Sequence, residues 1–103
     1  MNTVSVLLRV RPGKHEEFLQ TMQSIQNDLR KEAELLKSSL YNDMDDSDVF
    51  HLSEEWATQG SMEGYIRSER FSVFMGMVKV LCAEVEIKYQ LNASKLGAKI
   101  AEM

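Results

Sequence analysis

The chain has 103 residues, of which 44% are hydrophobic and 27% charged, and its formal net charge is −4. This length suits one domain with a single core, and this composition is typical of an ordered globular protein. Acidic and basic residues are interspersed, so the sequence offers no basic surface for neutralising phosphates, and we expect no nucleic-acid partner.

The sequence also argues against a membrane location. No apolar run reaches the roughly 20 residues that a membrane span needs, and the first residues lack the pattern of a signal peptide. The single cysteine, Cys82, excludes an internal disulfide and fits a reducing compartment. We therefore expect a cytoplasmic protein without a membrane partner, in which Cys82 is a buried structural thiol.

The first third of the chain predicts a strand and a helix. From Thr3 to Val10 apolar residues alternate with others, as in a strand, and Leu7 on the second face indicates that both faces are covered. A turn at Arg11 to Lys14 follows. The next apolar residues recur at helical spacing, which predicts a helix from His15 to about Glu32 that lies on a sheet. They are Phe18, Met22, Ile25 and Leu29.

Two strands and an acidic turn come next. Leu35 to Asn42 predicts a second strand, and Val49 to Trp56 a third, with Glu54 and Trp56 on one side and His51 on the other. The turn between them, Asn42 to Asp48, contains four aspartates. Because it lacks the glycine and the terminal glutamate of a calcium loop, we expect no metal site there.

The last part predicts two helices and a strand. Thr58 or Ser61 can cap a short helix that ends at Tyr65 or Ile66, and Ser68 can cap a longer one that ends at Leu81 or Cys82. Glu84 to Leu91 alternates cleanly as a strand. The tail, Asn92 to Met103, is interpreted as a loop with a short helix around Gly97, within a single domain spanning residues 1–103.

The resulting order, β-α-β-β-α-β, is that of an α+β ferredoxin-like fold with an antiparallel sheet. Both helices of such a fold lie on one face of the sheet. The other face, which carries Leu7, Val49 and His51, needs a cover, and a second copy of the chain is the natural one. We therefore predict a homodimer.

Several motifs resemble the antibiotic biosynthesis monooxygenase (ABM) domain family of the dimeric α/β barrel superfamily. They are the opening VSVLLRVRPGKHEEFLQ, the strand FHLSEEW that ends in Glu54-x-Trp56, the step from Ser68 to Phe71, and the closing strand EVEIKYQL. The resemblance covers nearly the whole chain. It implies a dimeric α/β barrel fold more firmly than any one reaction.

The sequence departs from the family at three positions. Members commonly carry a histidine in the short helix and another before the phenylalanine, where this chain has Tyr65 and Arg70. The haem-degrading branch places a further histidine at the position that aligns with Met75. These departures argue against haem degradation.

The resemblance implies oxygenation of a small phenolic or quinol-like aromatic by molecular oxygen, without a cofactor. Such a reaction needs a dry pocket, a group that takes the substrate proton, and a group that stabilises the resulting anion. As catalytic candidates we nominate His51, Tyr65 and Arg67. For contact with the substrate we nominate a second set, Trp56, Tyr41, Phe74 and Met75.

Each candidate also has a structural explanation. His51 can be an interface residue, Trp56 a core anchor, and Arg67 a partner in a surface ion pair. Glu54 is either an inward carboxylate with a raised pKa or the partner of a nearby arginine. Two other functions therefore stay open: a non-catalytic dimeric module that binds a small ligand or a protein, and an isomerase of a small oxidised metabolite.

Overall fold

The first strand lies at the middle of an antiparallel sheet. The computed structural model describes residues 2–91 and the backbone of residues 98–100. Its strands are β1 (Asn2–Val10), β2 (Leu35–Asn42), β3 (Val49–Trp56), β4 (Cys82–Gln90) and β5 (Ala98–Ile100). They form one sheet in the order β2-β3-β1-β4-β5, with every neighbouring pair antiparallel. The first four strands have the order of a ferredoxin-like sheet, which confirms the predicted fold class.

The helices are α1 (His15–Leu29), α2 (Gln59–Ile66) and α3 (Glu69–Leu81). Thr58 is the N-cap of α2, since its side chain accepts from the Ser61 backbone N–H while Ser61 Oγ accepts from that of Thr58. Ser68 caps α3, and its Oγ accepts from the Phe71 backbone N–H at 3.3 Å. The predicted short helix and its longer successor are confirmed.

Several predicted boundaries differ from the structure. Helix α1 ends at Leu29 and not near Glu32, because the chain turns there, with the Glu32 N–H donating to the Leu29 carbonyl. Strand β4 begins at Cys82, because α3 passes directly into extended backbone at that residue. Residues 98–100 form a strand where a loop was expected, since they pair with β4. The helix predicted around Gly97 falls outside the described residues.

The core lies between the helices and one face of the sheet. In the middle of the sheet Val6 faces Leu52 of β3 and Ile87 of β4, so three strands contribute to the same buried layer. The helices cover it with apolar side chains of their own. The most deeply buried core side chains include Val4, Leu8, Phe18, Met22, Phe74 and Ile87.

The other face of the sheet is open in the single chain. Leu7 is 37% exposed and Tyr41 53% exposed, although both lie on strands. Arg9 pairs there with Asp46 at 2.8 Å and with Glu84 at 3.1 Å. None of the described helices combines the length and the apolar composition that crossing a membrane requires.

Candidate active site

One end of the helix-covered layer is polar, and we call it the polar end. It lies where β3 finishes, and strand pairing places its members together: Ser38 and Val4 both face Glu54, and Tyr89 faces Val4 from the other side. Helix α1 adds Gln26, whose amide donates to Ser38 Oγ at 3.1 Å. The polar end comprises Asn2, Gln26, Ser38, Glu54, Trp56, Tyr65 and Tyr89.

Glu54 is the most unusual residue of the polar end. It is only 2% exposed, and its carboxyl group has no hydrogen bond or ion pair with any described residue. Burial alone raises its pKa to about 8, because a carboxylate loses its hydration there without gaining a partner. Of the two interpretations open from the sequence, the inward carboxylate with a raised pKa is the one the structure shows.

Trp56 and Tyr65 stack beside Glu54. Their ring centroids are 5.0 Å apart at 26°, and Tyr65 also meets the edge of Phe71 at 5.3 Å. Trp56 Nε1 is buried and has no hydrogen-bond partner among the described residues. An unsatisfied buried donor costs about 1–3 kcal/mol, so an acceptor atom of a ligand would stabilise it. Tyr65 occupies one face of the indole ring, so a ligand cannot stack on that face.

The hydroxyl group of Tyr65 stays protonated at physiological pH. Burial raises its pKa most, the charges of Glu54 and Tyr89 raise it further, and Arg70 acts in the opposite direction. Tyr65 is therefore a neutral hydroxyl that both donates and accepts hydrogen bonds. Tyr65 is not ionised at this pH, so it does not act as a base in the form of a phenolate.

Two clefts meet at Tyr65. The first, which we call the Trp56 cleft, has a volume of about 430 Å³, and its wall includes Trp56, Tyr65, Ser68 and Arg70. The second, the helix cleft, has a volume of about 380 Å³ and lies along α1 and α3. Tyr65, Glu69 and Arg70 line both, so a small aromatic molecule in either cleft would contact the same groups.

Arg70 supplies the positive charge at this junction. Its Nη1 lies 2.6 Å from Glu32 Oε2 and its Nε 3.4 Å from Asp28 Oδ2, so the side chain bridges α3 to α1 and the turn that follows it. The three side chains remain partly exposed, which makes this ion pair weak and its partners exchangeable. An anionic ligand oxygen could take the place of one carboxylate.

The structure brings together some of the nominated residues and separates others. Trp56 and Tyr65 are in contact, whereas Arg67 is exposed at the end of α2 and lines neither cleft. Phe74 is a core residue, with its ring 5.9 Å from that of Phe71. Met75 is half-buried against the core.

The remaining two nominated residues lie on the open face. Tyr41 and His51 are cross-strand neighbours and line a depression of about 260 Å³ together with Leu7. His51 Nε2 is 3.8 Å from Asp43 Oδ1. The whole sheet separates them from Trp56 and Tyr65, so the candidates form two groups rather than one.

Glu54 and Arg70 were not among the nominated residues, although both belong to this site. Strand alternation already placed Glu54 on the same side as Trp56, and an inward glutamate next to a tryptophan was the available signal. The position of Arg70 depends on how α3 packs on α1, which no local pattern specifies.

The acidic turn is built from its own hydrogen bonds. Asp43 Oδ2 accepts from the backbone N–H groups of Asp45 and Asp46, and Asp46 also pairs with Arg9. The Arg9 hydrogen bond is the main reason why the pKa of Asp46 is lowered. Across the described residues, no three His, Cys, Asp or Glu side chains are grouped so that they could hold a metal ion.

Comparison with known proteins gives the family. The sequence profile described as antibiotic biosynthesis monooxygenase matches residues 1–76. No curated protein sequence matches the chain.

Solved structures show the same fold. A Pseudomonas aeruginosa protein is 24% identical over 90% of this chain and 94% of its own, with a TM-score of 0.74. A conserved Methanosarcina mazei protein is also 24% identical, over 88% and 93%, with a TM-score of 0.76. A Deinococcus radiodurans protein, proposed to be an antibiotic biosynthesis monooxygenase, is 17% identical over 100% and 99%, with a TM-score of 0.82.

Proposed function

Since the chain belongs to the antibiotic biosynthesis monooxygenase family, we propose that it oxygenates a small phenolic or quinol-like aromatic with molecular oxygen and without a cofactor. The observation that supports this proposal is the Trp56 cleft, whose lining includes the stacked residues Trp56 and Tyr65 together with Arg70. The substrate would lose two hydrogen atoms and gain one oxygen atom. The second oxygen atom would leave as water.

The groups in the cleft match the demands of this reaction. The substrate must lose its hydroxyl proton, so that the electron-rich anion can pass an electron to oxygen, and the anion must be stabilised until it does. The Tyr65 hydroxyl can donate a hydrogen bond to the anionic oxygen, and Arg70 supplies a positive charge. The aromatic wall shields one side of the reacting ring from water.

Oxygen uptake by metal-free protein tests the proposal. The panel would hold hydroquinone, 1,4-naphthohydroquinone and anthrone, with the dimethyl ether of hydroquinone as a matched compound that has no proton to lose. We expect uptake with at least one hydroxyl-bearing or enolisable compound and none with the ether. Absence of turnover with the entire panel would contradict the proposed reaction.

The open face of the sheet supports a second copy of the chain as partner. Leu7 and Tyr41 are the exposed apolar side chains there, and His51 lies beside Tyr41. Light scattering should give twice the mass of one chain for the wild type. Tyr41→Lys or Leu7→Glu should give the mass of one chain. A monomeric wild type would contradict the dimer, and the non-catalytic dimeric module would then lose its basis too.

A further inference from the structure

Glu54 lies near Tyr65, which with Glu69 and Arg70 lines both clefts. Tyr65 lines both clefts and stacks on Trp56, and the Glu54 carboxyl group is near enough for its charge to act on the Tyr65 hydroxyl. Glu54 itself has no ion pair or hydrogen bond with a described residue, and it lines neither cleft. An unpaired carboxyl group behind the tyrosine at a cleft wall is suited to receive a proton through that tyrosine.

We propose that Glu54 is the terminal proton acceptor of the site and acts through Tyr65. The ligand O–H bond breaks, its electron pair stays on the ligand oxygen, and the proton binds Tyr65 Oη. At the same time the Tyr65 proton moves to the Glu54 carboxylate. Tyr65 is neutral before and after the step, and one proton has passed from the ligand to Glu54. This inference rests on the proposed function, because that function supplies the hydroxyl-bearing ligand.

The chemistry of the surrounding groups fits such a relay. A buried carboxylic acid whose pKa is about 8 is a far stronger base than an ordinary glutamate, and it is closer in acidity to a phenol. No hydrogen bond joins Tyr65 to Glu54 among the described residues. Catalytic hydrogen bonds are often long without ligand and shorten in the complex.

The titratable groups around Glu54 come from three elements. Tyr65 faces it from α2, Tyr89 faces the same region from β4, and the charge of Arg70 reaches Tyr65 from α3. Helix α1 contributes Gln26, and β2 contributes Ser38, which are both neutral. Burial raises the pKa of each tyrosine, so Glu54 is the group here that titrates closest to neutral pH.

The test compares Glu54→Gln, Tyr65→Phe and the double variant, with Glu55→Gln as the matched control on the opposite face of β3. Oxygen uptake with the best compound of the panel is followed from pH 6 to 10. In the wild type we expect kcat/KM to rise about tenfold for each pH unit below the pKa of Glu54 and to level off above it. Glu55→Gln should follow the wild type.

Each relay variant should lower kcat/KM by at least about tenfold. Glu54→Gln should also remove the rise with pH, and the double variant should be no slower than the slower single variant, because both residues serve one step. A Glu54→Gln enzyme with the wild-type rate and pH profile would overturn the relay while leaving the proposed function intact. If Glu54→Gln fails to fold, Tyr65→Phe replaces it in this test. A Tyr65→Phe enzyme with the wild-type rate would overturn the relay and leave the proposed function intact.

A binding measurement decides the relay when no oxygen uptake is seen at all. Trp56 is the only tryptophan of the chain, so its indole N–H gives a single NMR signal for titrations with phenol and with its methyl ether, anisole. Ionised Glu54 orients the Tyr65 proton inward, which leaves Tyr65 Oη free to accept from phenol. We expect the preference for phenol over anisole to grow about tenfold between pH 7 and 9 in the wild type and to stay constant in Glu54→Gln. An equal pH dependence in both proteins would overturn the relay.

Discussion

The two ends of the helix-covered layer are built from different kinds of residue. At one end, which we call the apolar end, Leu8, Phe18, Phe50, Val78 and Leu81 are buried against one another, and the rings of Phe18 and Phe50 lie 4.9 Å apart. At the polar end, Glu54 is only 2% exposed, and Trp56 Nε1 is buried without a hydrogen-bond partner among the described residues. The same four strands form both ends, so the difference comes from the side chains alone.

This difference indicates what each end does. The apolar end gains free energy from every buried methylene group, whereas the polar end loses free energy by burying a carboxyl group and a donor. Groups that cost stability without gaining contacts are concentrated at functional sites. We therefore expect the apolar end to stabilise the fold and the polar end to carry the proposed chemistry, and four substitutions test this division.

The largest effect that we expect is a dependence of stability on pH through Glu54. Its folded pKa of about 8 lies above the ordinary value near 4.5, so the folded protein binds this proton more tightly than the unfolded chain does. The unfolding free energy should consequently fall as pH rises from 4.5 to about 8, by up to about 5 kcal/mol at roughly 1.4 kcal/mol per pH unit. Urea unfolding of the wild type and Glu54→Gln measures it. At pH 9 Glu54→Gln should be more stable than the wild type. A less stable Glu54→Gln would contradict the claim that burying the ionised Glu54 carboxylate costs stability.

The next effect belongs to the apolar end. Phe18→Ala removes a fully buried ring from the contact with Phe50, so it should lower the unfolding free energy by about 3–5 kcal/mol at every pH. Urea unfolding at pH 6 and pH 9 shows whether the loss is constant. A loss that changed with pH would mean that the two ends are not independent.

A smaller effect concerns the start of α3, which carries Arg70 to the cleft. Ser68 Oγ accepts from the Phe71 N–H and donates to the Tyr65 carbonyl at 2.6 Å. Ser68→Ala should lower the unfolding free energy by about 1 kcal/mol, as loss of an N-cap does. Thermal unfolding measures it, with Ser72→Ala on the exposed side of the same helix as the control. Equal losses in both variants would show that the cap is not the cause.

The smallest expected change in stability is that of Arg70→Gln. Because the arginine and both of its carboxylate partners are partly exposed, the unfolding free energy should change by less than about 1 kcal/mol. Oxygen uptake should nevertheless fall, and more than in Arg67→Gln, since Arg70 alone of the two lines the clefts. Lys79→Gln removes a charge from the same helix outside both clefts and serves as the control.

The sequence predicted the fold better than the site. Periodicity and capping residues placed the strands and helices, because alternation and Thr58 or Ser68 act locally. Tyr65 and Trp56 were both nominated and do lie together. His51 was nominated for its chemistry, but it is out of phase with Trp56 on β3 and therefore lies on the opposite face. Whether it has a role there stays a prediction.

Two features of the site depend on packing that a sequence does not specify. Arg70 reaches both clefts only because α3 crosses α1 near Asp28 and Glu32. Glu54 was recognised as an inward carboxylate or an arginine partner, and only the arrangement of distant side chains shows that no described arginine meets it. The partners of a buried group come from other elements, so local patterns leave this choice open.

Direct titration of Glu54 shows whether the polar end holds a buried carboxyl group that can accept a proton near neutral pH. In protein labelled with ¹³C at the glutamate carboxyl groups, the Glu54 signal is the one that Glu54→Gln removes. We predict that this signal titrates with a midpoint near pH 8 in the ligand-free protein. A midpoint near the ordinary value of about 4.5 would contradict the account. Glu54 would then have a partner or hydration, and the polar end would have no residue suited to accept the proton.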